Sequence, residues 1–144
     1  MKRLLNLLLL AALPAMAQVT VSEAWVRGTV AQQKATGAFM TISATQDSRL
    51  VAASSPAAGM VEVHEMSMAN DVMRMRQLES LELPAGKPVK LMPGGYHLML
   101  MQLQRPLAEG DKVPLTLEIE DAKHVRSKVT VEAVVRPLAA SHQH

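Results

Sequence analysis

With 144 residues, a formal net charge of +2 and no cysteine, the chain is sized for one domain and holds no disulfide framework, thiolate metal site or lipid-bearing cysteine. Its only aromatics are Trp25, Phe39 and Tyr96, and no basic patch is interleaved with them, so nucleic-acid binding has no support. Methionine is the unusual residue: 11 in all, nine of them beyond position 17 and most of those between Met60 and Met101.

Met1, Lys2 and Arg3 form a short positive start, and an apolar run over 4–16 is broken only by Asn6 and Pro14. Ala15, Met16 and Ala17 then supply a small-x-small cleavage pattern. The run falls short of the roughly 20 residues a spanning helix needs. A secretory signal over 1–17, cleaved after Ala17, is therefore expected. Its removal takes Lys2 and Arg3 and leaves basic and acidic residues equal in number. The expected product is an exported protein that is not embedded in a membrane. It has one domain over 18–138 and a short tail over 139–144.

From residue 19 the pattern is β throughout. Short alternating or apolar runs predict strands over 19–27, 37–43, 50–54, 60–68, 72–78, 81–83, 89–92, 96–103, 113–120 and 125–135. Turn-forming residues separate them, among them Asn70–Asp71, Pro84–Ala85–Gly86, Pro93–Gly94–Gly95 and Gly110–Asp111. Many short strands at close spacing imply an all-β sandwich or barrel. No linker, repeat or low-complexity block divides the chain. Trp25 and Phe39 are expected in the core.

Strand parity sorts the methionines. Residues two apart share a face, so His64, Met66 and Met68 lie together, as do Met73 and Met75, and His97, Met99 and Met101. Leu98 and Leu100 are the natural core residues of their strand, which turns His97 and Met99 to the other surface. A turn centred between Ala69 and Asn70 would set His64 against Met75. A turn centred on Asn70–Asp71 would set Met66 against Met75, with His64 one step diagonal. Opposed Cβ atoms are about 5 Å apart and diagonal ones about 7 Å, so either register lets an imidazole and a thioether reach one ion. Proximity of the third strand does not follow from local sequence.

Thioethers are soft, uncharged donors that select Cu(I), and imidazole suits copper too. Methionine sulfur has no proton to lose, so only histidine makes such a site pH-dependent. In an oxidising compartment a cysteine-free site also escapes disulfide formation. Methionine is nevertheless a common gap-filler, and parity alone leaves packing as the ordinary explanation of the stripe.

The spacing adds to this. Ten residues separate His64 from Met75, 21 separate Met75 from His97, and one separates His97 from Met99. This resembles the H-x10-M-x21-H-x-M signature of the PCuAC family of periplasmic Cu(I) chaperones. The likeness extends through segments 23–42, 63–76 and 91–111 and so covers essentially the mature chain. The resemblance implies a cupredoxin-like Greek-key β-barrel with His64, Met75, His97 and Met99 as ligands of one Cu(I). It also implies delivery of that ion to the CuA-type centre of a respiratory oxidase. The partners would be a copper-receiving cytochrome oxidase subunit, a Sco-type thiol protein, or both. One departure is the hairpin turn, where Asp71 stands in place of the usual glycine; Asp tolerates positive φ, so the register is expected to survive.

The tail offers His142 and His144, paired imidazoles of the kind that suit Cu(II), although a disordered end is the default for such a terminus. His124 reads as an exposed loop residue. Glu62, Glu65, Arg74 and Arg76 could shape a docking surface. A metallochaperone that catalyses nothing and acts as a monomer in the periplasm is the leading expectation. Copper sequestration or tolerance is the alternative. Blue-copper electron transfer would need a Cys thiolate, and a packing-only sandwich would bind no copper tightly. No arrangement for hydrolysis stands out.

Overall fold

A computed structural model describes residues 18–137 as ten β-strands, with no helix among the described residues. The expected signal over 1–17 lies outside the described residues, as do Leu138 and the tail with His142 and His144. In chain order the strands are β1 (Val19–Arg27), β2 (Ala35–Ala44), β3 (Ser48–Ser54), β4 (Ala58–Ala69) and β5 (Val72–Leu78). They continue as β6 (Leu81–Leu83), β7 (Val89–Leu91), β8 (Tyr96–Leu103), β9 (Lys112–Asp121) and β10 (Arg126–Arg136). Four match the predicted limits and the rest differ by one or two residues at one or both ends.

Strands β4, β8, β2, β1, β10, β9 and β3 follow one another by hydrogen bonding, and a bridge from Ala53 to Val61 joins β3 back to β4. Seven strands thus close into a barrel, while β5, β6 and β7 are added to β4, β3 and β2. Closure removes most of the sheet edge that an open sheet would expose. β1 and β10 run parallel and the other paired strands antiparallel.

One core fills the barrel, built on Val26, Ile42, Leu50, Leu98, Leu100, Leu115, Leu117 and Ile119, all fully buried. Burial of each such side chain contributes about 1.5–3 kcal/mol. Leu98 and Leu100 therefore lock the register of β8, because a one-residue slip would expose both and turn His97 inward.

Trp25 departs from expectation, whereas Phe39 is buried as expected, at 3 % exposure. Strict alternation along β1 groups Trp25 with Val19 and Val21. A bulge between Ser22 and Trp25, with Glu23 at φ 55°, breaks the alternation, so Val26 enters the core and Trp25 turns out. On β2 the core takes Ala38, Met40 and Ile42, which leaves Phe39 on the outer face. Phe39 is still buried, because Trp25 packs on it with ring centroids 4.6 Å apart.

Pairing of β4 with β8 ends at Glu65 and Tyr96, whereas β4 and β5 stay paired as far as Ala69 and Val72. The turn between them is Asn70 at φ 51° and Asp71 at φ 62°. Two successive positive φ values make the tight hairpin turn whose twist matches its strands. Aspartate at the second place is compatible with this turn, and the register is the one centred on Asn70–Asp71.

Candidate metal centre

The site lies on the outer wall where β5, β4, β8 and β2 run side by side. Val63 on β4 and Leu98 on β8 point into the core, so His64 and His97 point out, directly opposite each other across the two strands. Their rings meet edge to face with centroids 5.7 Å apart. One step along, Glu62 faces Met99, and beyond Met99 on β2 stands Gly37. On β5, Met75 pairs with Met66, one diagonal step from His64, which itself pairs with Gln77.

Beside the two imidazoles lies a cavity of about 160 Å³, lined by Met66, Met75, His97 and Met99 with Arg27, Gly37, Phe39, Pro93 and Gly94. His64 adjoins His97 but does not itself line this cavity. Gly94, at φ 86°, makes the tight turn that leads into β8. Gly37 leaves room for the Phe39 ring, since a Cβ there would lie 2.8 Å from the ring's Cζ. Phe39 fills that space and sits 6.2 Å from the His97 ring.

Hydrogen bonds set the tautomer of each imidazole. The Nε2 of His64 is 3.1 Å from the Glu62 carboxylate, which accepts only, so Nε2 carries the proton. Its Nδ1 is buried and has no partner, a costly state for a polar atom unless something else meets its lone pair. His97 is tied the opposite way: its Nδ1 donates to the Gly95 carbonyl at 3.2 Å, which leaves Nε2 free. Burial pushes the His97 pKa below the ordinary imidazole value, and the facing His64 and Arg27 add to this against the Gly95 hydrogen bond. A neutral imidazole with an available lone pair is the form that binds a metal.

Of the residues singled out in the sequence, His97, Met99 and Met75 share the cavity and His64 adjoins it. His97 is 5 % exposed, Met75 47 %. Among the described residues, no group of three or more His, Cys, Asp or Glu side chains converges. An ion held here would therefore depend on thioether sulfur. His124 is exposed as expected, but its ring is hydrogen-bonded to Glu120 at 2.9 Å. Sequence reading gave Glu62 only a docking role, although parity places it on the face of His64, and it did not bring Phe39 or Arg27 to the site, where no local signal points. Arg27 stacks over Phe39 with its guanidinium carbon 5.4 Å from the ring centroid.

The family model described as "Putative lipoprotein LpqE-like" matches residues 19–131. A protein of Leifsonia xyli subsp. xyli, "Putative lipoprotein Lxx21020", is 38 % identical over 106 residues, 72 % of this chain; the chain spans 63 % of that relative's length. Among solved structures, the copper-bound PCuAC domain from PmoF2 superposes with a TM-score of 0.67 at 22 % identity, covering 83 % of this chain and 92 % of that one. Apo-DR1885 from Deinococcus radiodurans has a TM-score of 0.60 at 31 % identity, covering 83 % and 78 %. Its Cu(I) form has 0.55 at 28 %, covering 88 % and 81 %. The chain thus has the cupredoxin-like PCuAC fold as a single domain, and it belongs to the LpqE-like family.

Proposed function

We propose that this protein is an extracytoplasmic copper carrier that binds one Cu(I) through His64, Met75, His97 and Met99. The observation that carries this reading is the pair of opposed imidazoles, each with one nitrogen tied by a hydrogen bond and the other left open, beside a thioether-lined cavity. Two neutral nitrogens and two sulfurs form a soft donor set without negative charge, which suits a monovalent soft ion better than a hard divalent one. The matched DR1885 structure carries Cu(I) and the PmoF2 domain carries copper, which supports the same ion here. The H-x10-M-x21-H-x-M spacing supports the same four residues.

Copper is cargo in this reading. Met75 is half exposed, at the open side of the cavity, where a receiving protein can reach the ion without the barrel opening. Delivery to a CuA-type centre, directly to an oxidase subunit or with a Sco-type thiol protein, is the proposed outcome. Storage for copper tolerance is the alternative. The lipoprotein names of the family and of the Leifsonia relative support a place in the cell envelope, and the protein is taken to act as a monomer in the periplasm.

Anaerobic titration with Cu(I) against a competing chelator tests the reading. One tight equivalent, lost in His97→Ala, is the expected result; absence of tight binding removes the copper role. A deletion strain then separates delivery from tolerance. Loss of oxidase activity at low copper supports delivery, and sensitivity only at high copper supports storage.

A further inference from the structure

Past Met66, whose N–H donates to the Gly95 carbonyl at 3.0 Å, the β4 strand pairs only with β5, so residues 67–74 form a two-stranded ribbon that continues the outer wall beyond the Met66–Met75 pair. The ribbon face continuous with the barrel core carries Ser67 opposite Arg74 and Ala69 opposite Val72. The face continuous with His64 carries Met66 opposite Met75, then Met68 opposite Met73. Four thioethers thus stand as two rungs, with the hairpin tip at one end and the imidazole pair at the other. Successive rungs are two residues apart, about 7 Å along the strands.

Packing does not account for the outer rung. Met68 is 65 % exposed and Met73 47 %, so neither gains much from burial, and exposed thioethers are open to oxidation to the sulfoxide. Directly opposed strand positions have Cβ atoms about 5 Å apart. Two long, unbranched Met side chains across that gap can close on one soft cation. They need no deprotonation to do so.

We propose that Met68 and Met73 form a second, weaker, solvent-facing site for Cu(I), or for a soft monovalent mimic such as Ag(I). The ion passes from there to Met66 and Met75 and then to the two imidazoles. The proposal rests on the copper reading of the inner site. The outer pair is weaker because it has two sulfurs and no imidazole. Position accounts for its use: an ion captured at the tip meets thioethers at each step and never has to cross the wall unliganded.

The test is an Ag(I) titration of the protein carrying ¹³C-methyl methionine, followed by methyl and histidine-ring NMR. The first equivalent is expected to move the signals of Met75, Met99, His64 and His97. Further Ag(I) is expected to move the Met68 and Met73 methyls together in a weaker second step, and this step is expected to vanish in Met68→Leu/Met73→Leu. If the first set moves while Met68 and Met73 stay fixed through several equivalents, the outer site is overturned and the inner one stands. Persistence of the second step in the double variant also overturns it. If His64, His97, Met75 and Met99 do not respond at all, the copper reading itself fails and the outer site with it.

Discussion

His64 and His97 are direct cross-strand partners, and their hydrogen bonds select opposite tautomers. The Nε2–H of His64 donates to the Glu62 carboxylate, and the Nδ1–H of His97 donates to the Gly95 carbonyl. The two open nitrogens are therefore Nδ1 of one ring and Nε2 of the other. Long-range ¹H–¹⁵N correlation spectra of the apo protein should show this difference between the rings.

In the copper reading, Glu62 would influence the ion only through the hydrogen bond by which it holds the His64 ring. Groups that orient a ligating histidine commonly contribute 10- to 100-fold in metal affinity. Glu62→Leu is accordingly expected to weaken Cu(I) binding by about that factor and to release the His64 tautomer in the same NMR spectra. Glu62→Gln keeps an oxygen that accepts from Nε2 and should recover much of both. Equal affinity in all three proteins would leave Glu62 without this role.

Met75→Leu and Met99→Leu exchange a thioether for a hydrocarbon of similar volume, a change that costs stability less than about 1.5 kcal/mol. Each should leave the melting temperature nearly unchanged while Cu(I) affinity falls sharply in chelator competition. Unchanged affinity in either variant takes that residue out of the ligand set.

Gly37→Ala tests the floor of the cavity. The added Cβ would lie 2.8 Å from Cζ of Phe39, so the ring must move, and Phe39 is packed between Trp25 and His97. Overpacking of this kind costs about 1–3 kcal/mol. Calorimetry should show that loss, with weaker Cu(I) binding as His97 is displaced. A variant with wild-type stability and binding would show that Phe39 does not set the position of His97.

Acid stability should depend on Glu120, far from the site in sequence. The His124 hydrogen bond, then those from Arg49 and Arg126, hold its carboxyl down at about 2. The folded protein thus binds fewer protons at this group than the unfolded chain, whose carboxyl titrates near 4.3. The resulting stabilisation is fully present above the unfolded value and is lost as pH falls through about 2. Melting temperatures of the wild type and Glu120→Gln should therefore converge between neutral pH and pH 2. A gap that stays constant over that interval would contradict this.

Local chemistry made much of this legible. Alternation marked all ten strands, and Leu98 and Leu100 turned His97 and Met99 outward. Asn70 and Asp71 left two registers open, and two successive positive φ values select the one pairing Met66 with Met75. Non-local pairing was out of reach, since the match of β4 with β8 that opposes His64 and His97 depends on barrel closure. The outward turn of Trp25 was hidden as well. It follows from one bulge at Glu23, a residue that gives no turn signal of its own. Phe39 is buried as its type suggests, but its cover by Trp25 on the outer side of β2 follows from the same bulge.

X-ray absorption at the copper edge of the one-to-one Cu(I) complex reads the ligand set itself. Two nitrogen and two sulfur scatterers around a single copper are expected, with one sulfur lost in Met75→Leu and one nitrogen lost in His97→Ala. A shell without nitrogen, or one that neither substitution alters, would contradict it.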